Sequence, residues 1–258
     1  MTAVHVHRFV VLVWLAGIMV SCGAEPLPSK DCWVRAQVRI VLDGAPPPLP
    51  IIEVDKSADH CGETLEDPVL VVGPNGGVLD CVISLEPVGM ALEFDPEVSV
   101  LSINAKHCLL QPRVQCAQLG SSLQLQNTDA IAHNPHLWDP KSRTAANVTL
   151  FNDKVRRRVG LTESGVWRLD CDIHDWMKAY IHVFDHPLYA RTASDGLATI
   201  QVLCPPGRYR VRVWHEVLGV QVEEISISDG TAHLVRLPLA DHRSKHLLPH
   251  GMREWPKK

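Results

Sequence analysis

Apolar and polar residues alternate along most of this chain with a period of two, and no window holds a convincing helical period. The first run, Trp33-Val-Arg-Ala-Gln-Val-Arg-Ile-Val-Leu42, reads as a half-buried strand that stops at Asp43-Gly44. Ala45-Pro-Pro-Pro-Leu-Pro50 then makes an extended connection poor in backbone donors. Residues 51–54 read as a short strand and 55–68 as a polar loop. Residues 69–72 and 78–85 flank Gly73-Pro-Asn-Gly-Gly77 as strand, turn, strand. Further strands are expected at 98–103, 113–119, 121–126, 166–170 and 179–184, while 139–158 is polar and poorly patterned. Beyond residue 186 come a turn at 191–196, a strand over 197–203, a turn at Pro205-Pro-Gly207, and alternating strands over 209–214 and 222–227. Short strands at this spacing, punctuated by Gly, Pro and Asp, predict an all-β sandwich architecture.

The chain has 258 residues, enough for one large β domain or two small ones, and its net charge of −4 gives no reason to expect a nucleic-acid partner. One segment changes the picture. The apolar run over residues 9–20 is shorter than the roughly 20 residues a membrane-spanning helix needs, and it follows His5, His7 and Arg8. That is the plan of a secretory signal. Its ending, Val20-Ser-Cys22-Gly, resembles a bacterial lipoprotein signal in which Cys22 becomes the lipidated first residue; the other reading is an ordinary signal cleaved near Ala24. Either way the mature protein is expected to be exported, to the periplasm or cell envelope. Export favours pairing among Cys32, Cys61, Cys81, Cys108, Cys116 and Cys204, without choosing the pairs.

The candidate chemistry is concentrated in Cys171-Asp-Ile-His174-Asp-Trp-Met177. A thiolate, an imidazole and a thioether in one loop, delivered by one strand and followed by another, make the donor set of a mononuclear electron-transfer copper site once a second imidazole joins. His133 in Asn127-Thr-Asp-Ala-Ile-Ala-His133-Asn134 is the expected supplier, with His136 as competitor. The expected plane is His133, Cys171 and His174 with Met177 axial, Asn134 tying the two ligand segments together around the sulfur, and Trp176 limiting access of water. Zinc is the rival metal, since His133, Cys171 and His174 fill three tetrahedral positions, but a thioether is a poor zinc ligand and neither Asp172 nor Asp175 is suitably placed. No Ser-His-Asp pattern, phosphate loop or carboxylate pair points to an enzyme. His182, His186 and His215 read as structural, and Arg156-Arg-Arg158 as a solvated loop.

With these residues in view, the chain resembles bacterial cupredoxin-like envelope proteins, many of them labelled methylamine utilisation or plastocyanin-like. The resemblance is carried by Asn127-x-Asp129…His133-Asn134, by Cys171-x2-His174-x-Trp-Met177-x-Ala-Tyr-Ile-x-Val183, and by Asp185-His-Pro-x-Tyr-Ala. Upstream, Asp43-Gly-x-Pro-Pro47, Cys61-Gly62 and Val71-Val-Gly-x2-Gly-Gly77 also match. Thr192-x2-Asp-Gly196, Pro205-Pro-Gly-x-Tyr209 and Trp214-His-Glu216 are similar to carboxypeptidase regulatory-like sandwiches. The resemblance implies a cupredoxin-like Greek-key β-sandwich joined to a small carboxypeptidase regulatory-like β-sandwich, and a disulfide between Cys61 and Cys108. It also carries a departure: where such proteins often have Pro-His after the second of those cysteines, this chain has Pro112-Arg113.

The expected organisation is a signal over 1–22, an N-terminal β segment over 33–96 contributing to the sandwiches, a copper domain over 97–185, a regulatory-like portion over 186–238 and a basic tail over 239–258. The expected function is one-electron transfer through one copper ion between redox proteins of the cell envelope. A non-redox binding module with a vestigial or metal-storing site is the alternative.

Overall fold

The computed structural model describes residues 30–151, 156–228 and 232–239. The expected signal with Cys22, and the basic tail beyond residue 239, lie outside the described residues. The chain opens with β1 (Val34–Asp43). A short hairpin of β2 (Ile51–Glu53) and β3 (Thr64–Glu66) follows, enclosing the one-turn helix α1 (Ala58–Cys61), and then β4 (Val82–Pro87). Next come β5 (Val100–Lys106), β6 (Leu109–Gln111), β7 (Val114–Gln118), β8 (Ser122–Asn127) and β9 (Pro135–Trp138). They lead to β10 (Thr144–Asn147), β11 (Arg157–Gly160), β12 (Gly165–Cys171) and β13 (Lys178–Phe184). The last strands are β14 (Tyr189–Arg191), β15 (Leu197–Cys204), β16 (Gly207–His215), β17 (Gly219–Ile227) and β18 (His233–Pro238). The architecture is all-β. Among the described residues no helix is long and apolar enough to cross a membrane.

Two sheets share one core in the middle of the chain. A five-stranded sheet in the order β10-β9-β12-β13-β7 faces a four-stranded sheet, β11-β8-β5-β6. Ile103, Leu123, Leu125, Leu137, Leu169 and Ile181 fill the space between them. The alternation that marks β8 and β12 puts every second side chain into this core, as the pleat requires. A second pair of sheets, β15-β1-β18 and β14-β4-β16-β17, encloses Val38, Ile40, Ile83, Leu85, Val211 and Val235. Here β1 is the central strand, antiparallel to β15 and parallel to β18, so the first and last strands close one sandwich together. Gly196 makes the join possible. It sits at φ +76°, and a Cβ there would lie 2.1 Å from the Ile40 carbonyl oxygen.

β13 joins the two units because both of its faces are buried. Ala179, Ile181 and Val183 point into the first core, while Tyr180 and Phe184 pack with Val82, Val114 and Trp214 in a seam between the sandwiches. Arg113 crosses this seam. Its guanidinium grips Glu216 at 2.7 and 2.8 Å and reaches Asp67 at 3.3 Å. The departure at Pro112-Arg113 therefore has a structural use, as a bidentate clamp between the two halves.

Several expected boundaries move. Residues 69–72 form no strand; Val72 makes a single bridge to Val78, and β4 begins only at Val82. Asp80 takes a left-handed conformation (φ 63°) and breaks any earlier ladder. The stretches read as loop at 55–68 and as unpatterned at 139–158 contain α1, β3 and β10 and the start of β11, all too short to show a period. Arg157 and Arg158 are exposed, on β11 rather than in a loop. Of the six cysteines expected to pair, Cys61 and Cys108 form a disulfide, as the resemblance implies. Cys32, Cys81, Cys116 and Cys204 are free thiols, with Cys81 and Cys204 buried in apolar surroundings.

Candidate metal centre

One end of the first sandwich collects the chemistry. β8 ends at Asn127, whose amide donates to the Ile131 and Leu150 carbonyls at 2.8 Å each and whose oxygen accepts the Asp129 N–H at 2.9 Å. That knot shapes the loop before His133, and a two-bond backbone bridge between His133 and Leu150 fixes the loop's end. From the other side β12 runs into Cys171. The loop after it is closed by the Cys171 N–H donating to the Met177 carbonyl (3.2 Å) and the Met177 N–H donating to the His174 carbonyl (3.1 Å). The second segment is stapled to the first by the Asp172 N–H on the Asn134 carbonyl, 3.1 Å.

These frames bring together His133 Nδ1, His174 Nδ1 and Cys171 Sγ, all within 4.8 Å of one another. The two Nδ1 atoms are 3.0 Å apart, and the sulfur is 3.8 Å from His174 Nδ1. Three donors around a transition metal, with metal–nitrogen bonds of about 2.0 Å and metal–sulfur bonds of about 2.3 Å, stand some 3.3–3.8 Å from one another. The observed spacing is already close to that. All three side chains are buried, His133 fully. Met177 is fully buried and shares the apolar cluster that contains Cys171 and Trp176.

The far side of each imidazole decides what its near side can do. His133 Nε2 lies 3.0 Å from Asp129 Oδ2, and a carboxylate demands the proton there, which leaves Nδ1 with a bare lone pair. His174 Nε2 lies 3.2 Å from Ser57 Oγ. With its proton on that side, His174 too presents a bare Nδ1, and two lone pairs then face each other at 3.0 Å beside a sulfur. A cation satisfies that arrangement. The sulfur accepts the Asn134 backbone N–H at 3.4 Å, the tie expected of that residue. The residues present thus fit a soft, borderline metal ion.

Burial also sets the protonation. His174 is pulled down to about 4, first by burial and then by the neighbouring His133 and Lys56 charges. His133 is lowered by burial, against the opposing pull of Asp129. For Asp129, burial pushes upward, but the N–H groups of Cys108 and His107 and the contact with His133 outweigh it, so the carboxyl stays below its ordinary value. Near neutral pH this is an anion behind a neutral imidazole, the arrangement that orients a histidine ligand.

Other candidates lie elsewhere. His136 is outside the cluster, with Nδ1 on Asp172 Oδ1 at 3.0 Å, Nε2 beside Thr144 Oγ1 at 2.9 Å, and its ring stacked on Trp138 at 3.8 Å. Asp172 serves that surface network and not the cluster. His60, Cys108 and Asp129 form a second convergence, but the Cys108 sulfur is bonded to Cys61 and offers no thiolate. Trp176 does lean on the site, its ring 5.1 Å from His174 and its Nε1–H on the Cys108 carbonyl at 3.0 Å. His215 caps its own turn by accepting the Val217 and Leu218 N–H groups. Neither Asp129 nor Ser57 is among the residues that the sequence marks as serving the site. Asp129 had a signal, a carboxylate four positions before a histidine; Ser57, alone in a polar loop, had none.

No family model matches this chain, and no curated protein matches it. Solved structures of cupredoxins resemble part of it at low identity. Amicyanin from Paracoccus versutus is 12% identical over 33% of this chain and 81% of its own, with a TM-score of 0.30. A purple cupredoxin from Nitrosopumilus maritimus is 19% identical over 33% of this chain and 99% of its own, with a TM-score of 0.29. A Cu-containing nitrite reductase from Thermus scotoductus is 22% identical over 39% of this chain and 26% of its own, with a TM-score of 0.29.

Proposed function

We propose that this chain is an exported one-electron carrier in which His133, Cys171, His174 and Met177 hold a single copper ion. The observation that carries the reading is the buried meeting of two imidazole lone pairs and a cysteine sulfur at one point, with the far nitrogen of each ring already occupied. Bound copper would supply a one-electron couple, which thiolate and imidazole ligands stabilise in both oxidation states. The rest is done by the chain. Asp129 and Ser57 fix the two ring orientations, the Asn134 N–H steadies the sulfur, and the sandwich holds its donors in place through a change of charge. Trp176 and the surrounding core keep water out.

On this reading the partners are redox proteins of the cell envelope, Cys22 is a lipid anchor, and the second sandwich is a regulatory-like module carried beside the carrier domain. Optical and paramagnetic-resonance spectra of the copper-loaded protein provide the test. An intense sulfur-to-copper charge-transfer band that bleaches on reduction is expected, and Cys171→Ser should abolish it. Retention of the same spectrum in that variant removes Cys171 from the site. Preference for zinc, with no redox response, returns the chain to the binding-module reading.

A further inference from the structure

The outer side of His174 is closed by a piece of chain that belongs to neither sandwich. β2 and β3 pair only with each other, as a separate two-stranded sheet. Among the described residues, the backbone hydrogen bonds of 51–66 run within this strap, or across its neck from the Asp67 N–H to the Pro50 carbonyl at 2.8 Å. Its outward side is exposed at Ile51, Glu53, Asp55, Lys56 and Asp59. Inward it offers the half-buried Ile52, Val54 and Leu65 to the core below. Three further holds reach the site, one of them His60, whose Nε2 lies 4.0 Å from Asp129 Oδ1. The Cys61–Cys108 disulfide ties the strap to the turn whose Cys108 carbonyl receives Trp176 and whose N–H groups bind Asp129. Ser57, held in a left-handed conformation (φ 59°) at the start of α1, places its hydroxyl on His174 Nε2.

We propose that residues 51–66 are a closure over the metal pocket, with Ser57 as the positioning residue for His174, so that metal ions and small ligands reach the donors only when this strap lifts. The proposal rests on the metal reading above and adds the route of entry. The physical case is the contrast in attachment. Cys171 ends a strand woven into the five-stranded sheet and His133 is fixed by its two-bond bridge to Leu150, whereas the strap is held by three partly buried apolar side chains, one covalent link, one hydroxyl and the approach of His60 to Asp129. A segment with few buried contacts and no shared ladder opens at lower free energy than the core beneath it. The disulfide stands between the strap and that opening. With the strap down, His174 is 1% exposed and Cys171 3% exposed, so an exogenous ligand has no path to the donors.

The first experiment uses the metal-free full-length protein, so it does not depend on copper. Labelling of Cys171 by a small maleimide is followed by peptide mapping in the parent, in Ser57→Ala, and in the double variant Cys61→Ser/Cys108→Ser. The double variant should label Cys171 at least about tenfold faster than the parent, while Cys81 and Cys204, buried in the other sandwich, stay protected. Equal Cys171 rates overturn the closure. So does Cys171 labelling that merely rises in step with Cys81 and Cys204, because that reports general unfolding. The second experiment loads Cu(I) and measures its release to a chelator. Ser57→Ala, which keeps the disulfide, should release copper several-fold faster, and Ser57→Asn, which tolerates the left-handed backbone and keeps a polar group to meet His174 Nε2, should return toward the parent rate. Identical rates in all three remove the positioning role. A parent that takes up no copper defeats the metal reading instead, and the labelling result still decides whether the strap is a closure.

Discussion

The buried histidines of the metal end and His182 at the seam between the sandwiches are handled in opposite ways. At the metal end, His133 and His174 each have the far nitrogen occupied, by Asp129 and Ser57, and the near nitrogen aimed at its neighbour. At the seam, His182 on the outer face of β13 is 1% exposed, and neither ring nitrogen has a hydrogen-bond partner among the described residues. Its ring lies 4.4 Å from Trp214 and stacks on Phe184. Burial lowers the proton affinity in both places, so a depressed pKa does not separate a site from a packing group. Direction does. A buried imidazole with one nitrogen held is preorganised to use the other, whereas one with neither held serves as an apolar plate. Leaving such polar atoms unmade costs about 1–3 kcal/mol each, which the aromatic packing of the seam and the Arg113–Glu216 clamp must offset.

The sharpest way to break this comparison is to titrate the seam. Burial, and secondarily the Arg212 charge, hold His182 down to about 3. In the unfolded chain the same ring takes its proton near pH 6.5. Between those values the unfolded state binds more protons, so the stability contribution is complete above pH 6.5 and is lost as the pH falls toward 3. The slope contributed by this one group is about 1.4 kcal/mol per pH unit. Other groups, His215 among them, add slopes of the same sign, so the reading is a difference. Denaturant melts of parent and His182→Leu across pH 4 to 7 should diverge by about that slope, with the variant flatter. Parallel curves would show that His182 finds a partner and that the seam is polar after all.

β13 also explains how much the sequence could tell. Its strand character was legible from residues 179–184, but apolar side chains on both faces erase the alternation that says which side is core, so the seam was not. The ligand set was legible because Cys171, His174 and Met177 are rare residue types crowded into one loop between strands. His133 needed the neighbouring Asn134 to stand out against His136, and the structure brings His133, and not His136, to the sulfur. The Cys61–Cys108 pair came with the family resemblance and not from any pattern in the residues. β6, β10 and β14 are three or four residues each, too short for periodicity; β6 and β14 pair with the longer β5 and β4, and β10 with the equally short β9. Ser57 is a serine in a polar stretch until the fold sets it against His174.

A middle-sized effect sharpens the metal end. Asp129→Asn keeps the shape and one acceptor oxygen but removes the charge that fixes the proton on His133 Nε2. Metal affinity should fall about 10- to 100-fold, the usual cost of losing a carboxylate behind a histidine ligand, as read by competition with a chelator. Melting of the metal-free variant serves as the control, because Asp129 also accepts the His107 and Cys108 N–H groups. A large loss of stability with unchanged affinity would make Asp129 a turn residue only.

The smallest effect belongs to His136, and it tests whether partnering alone is enough. Unlike His133, which is held at one nitrogen, its ring is fixed at both, by Asp172 and Thr144, and it stands on the strand just beyond His133. What it lacks is a second metal donor facing it, since its contacts are a surface carboxylate, the Asn147 amide, a hydroxyl and the face of Trp138. His136→Ala removes a hydrogen bond to the surface carboxylate of Asp172 and a ring stacked on Trp138, neither of which touches the metal donors. The copper spectrum and affinity should stay where they are, measured beside Asp129→Asn under the same chelator. A bleached or displaced charge-transfer band in His136→Ala would mean that the sulfur's neighbours extend through Asp172 to the protein surface. The contrast drawn between a held ring and a converging one would then have to give way to a wider network around Cys171.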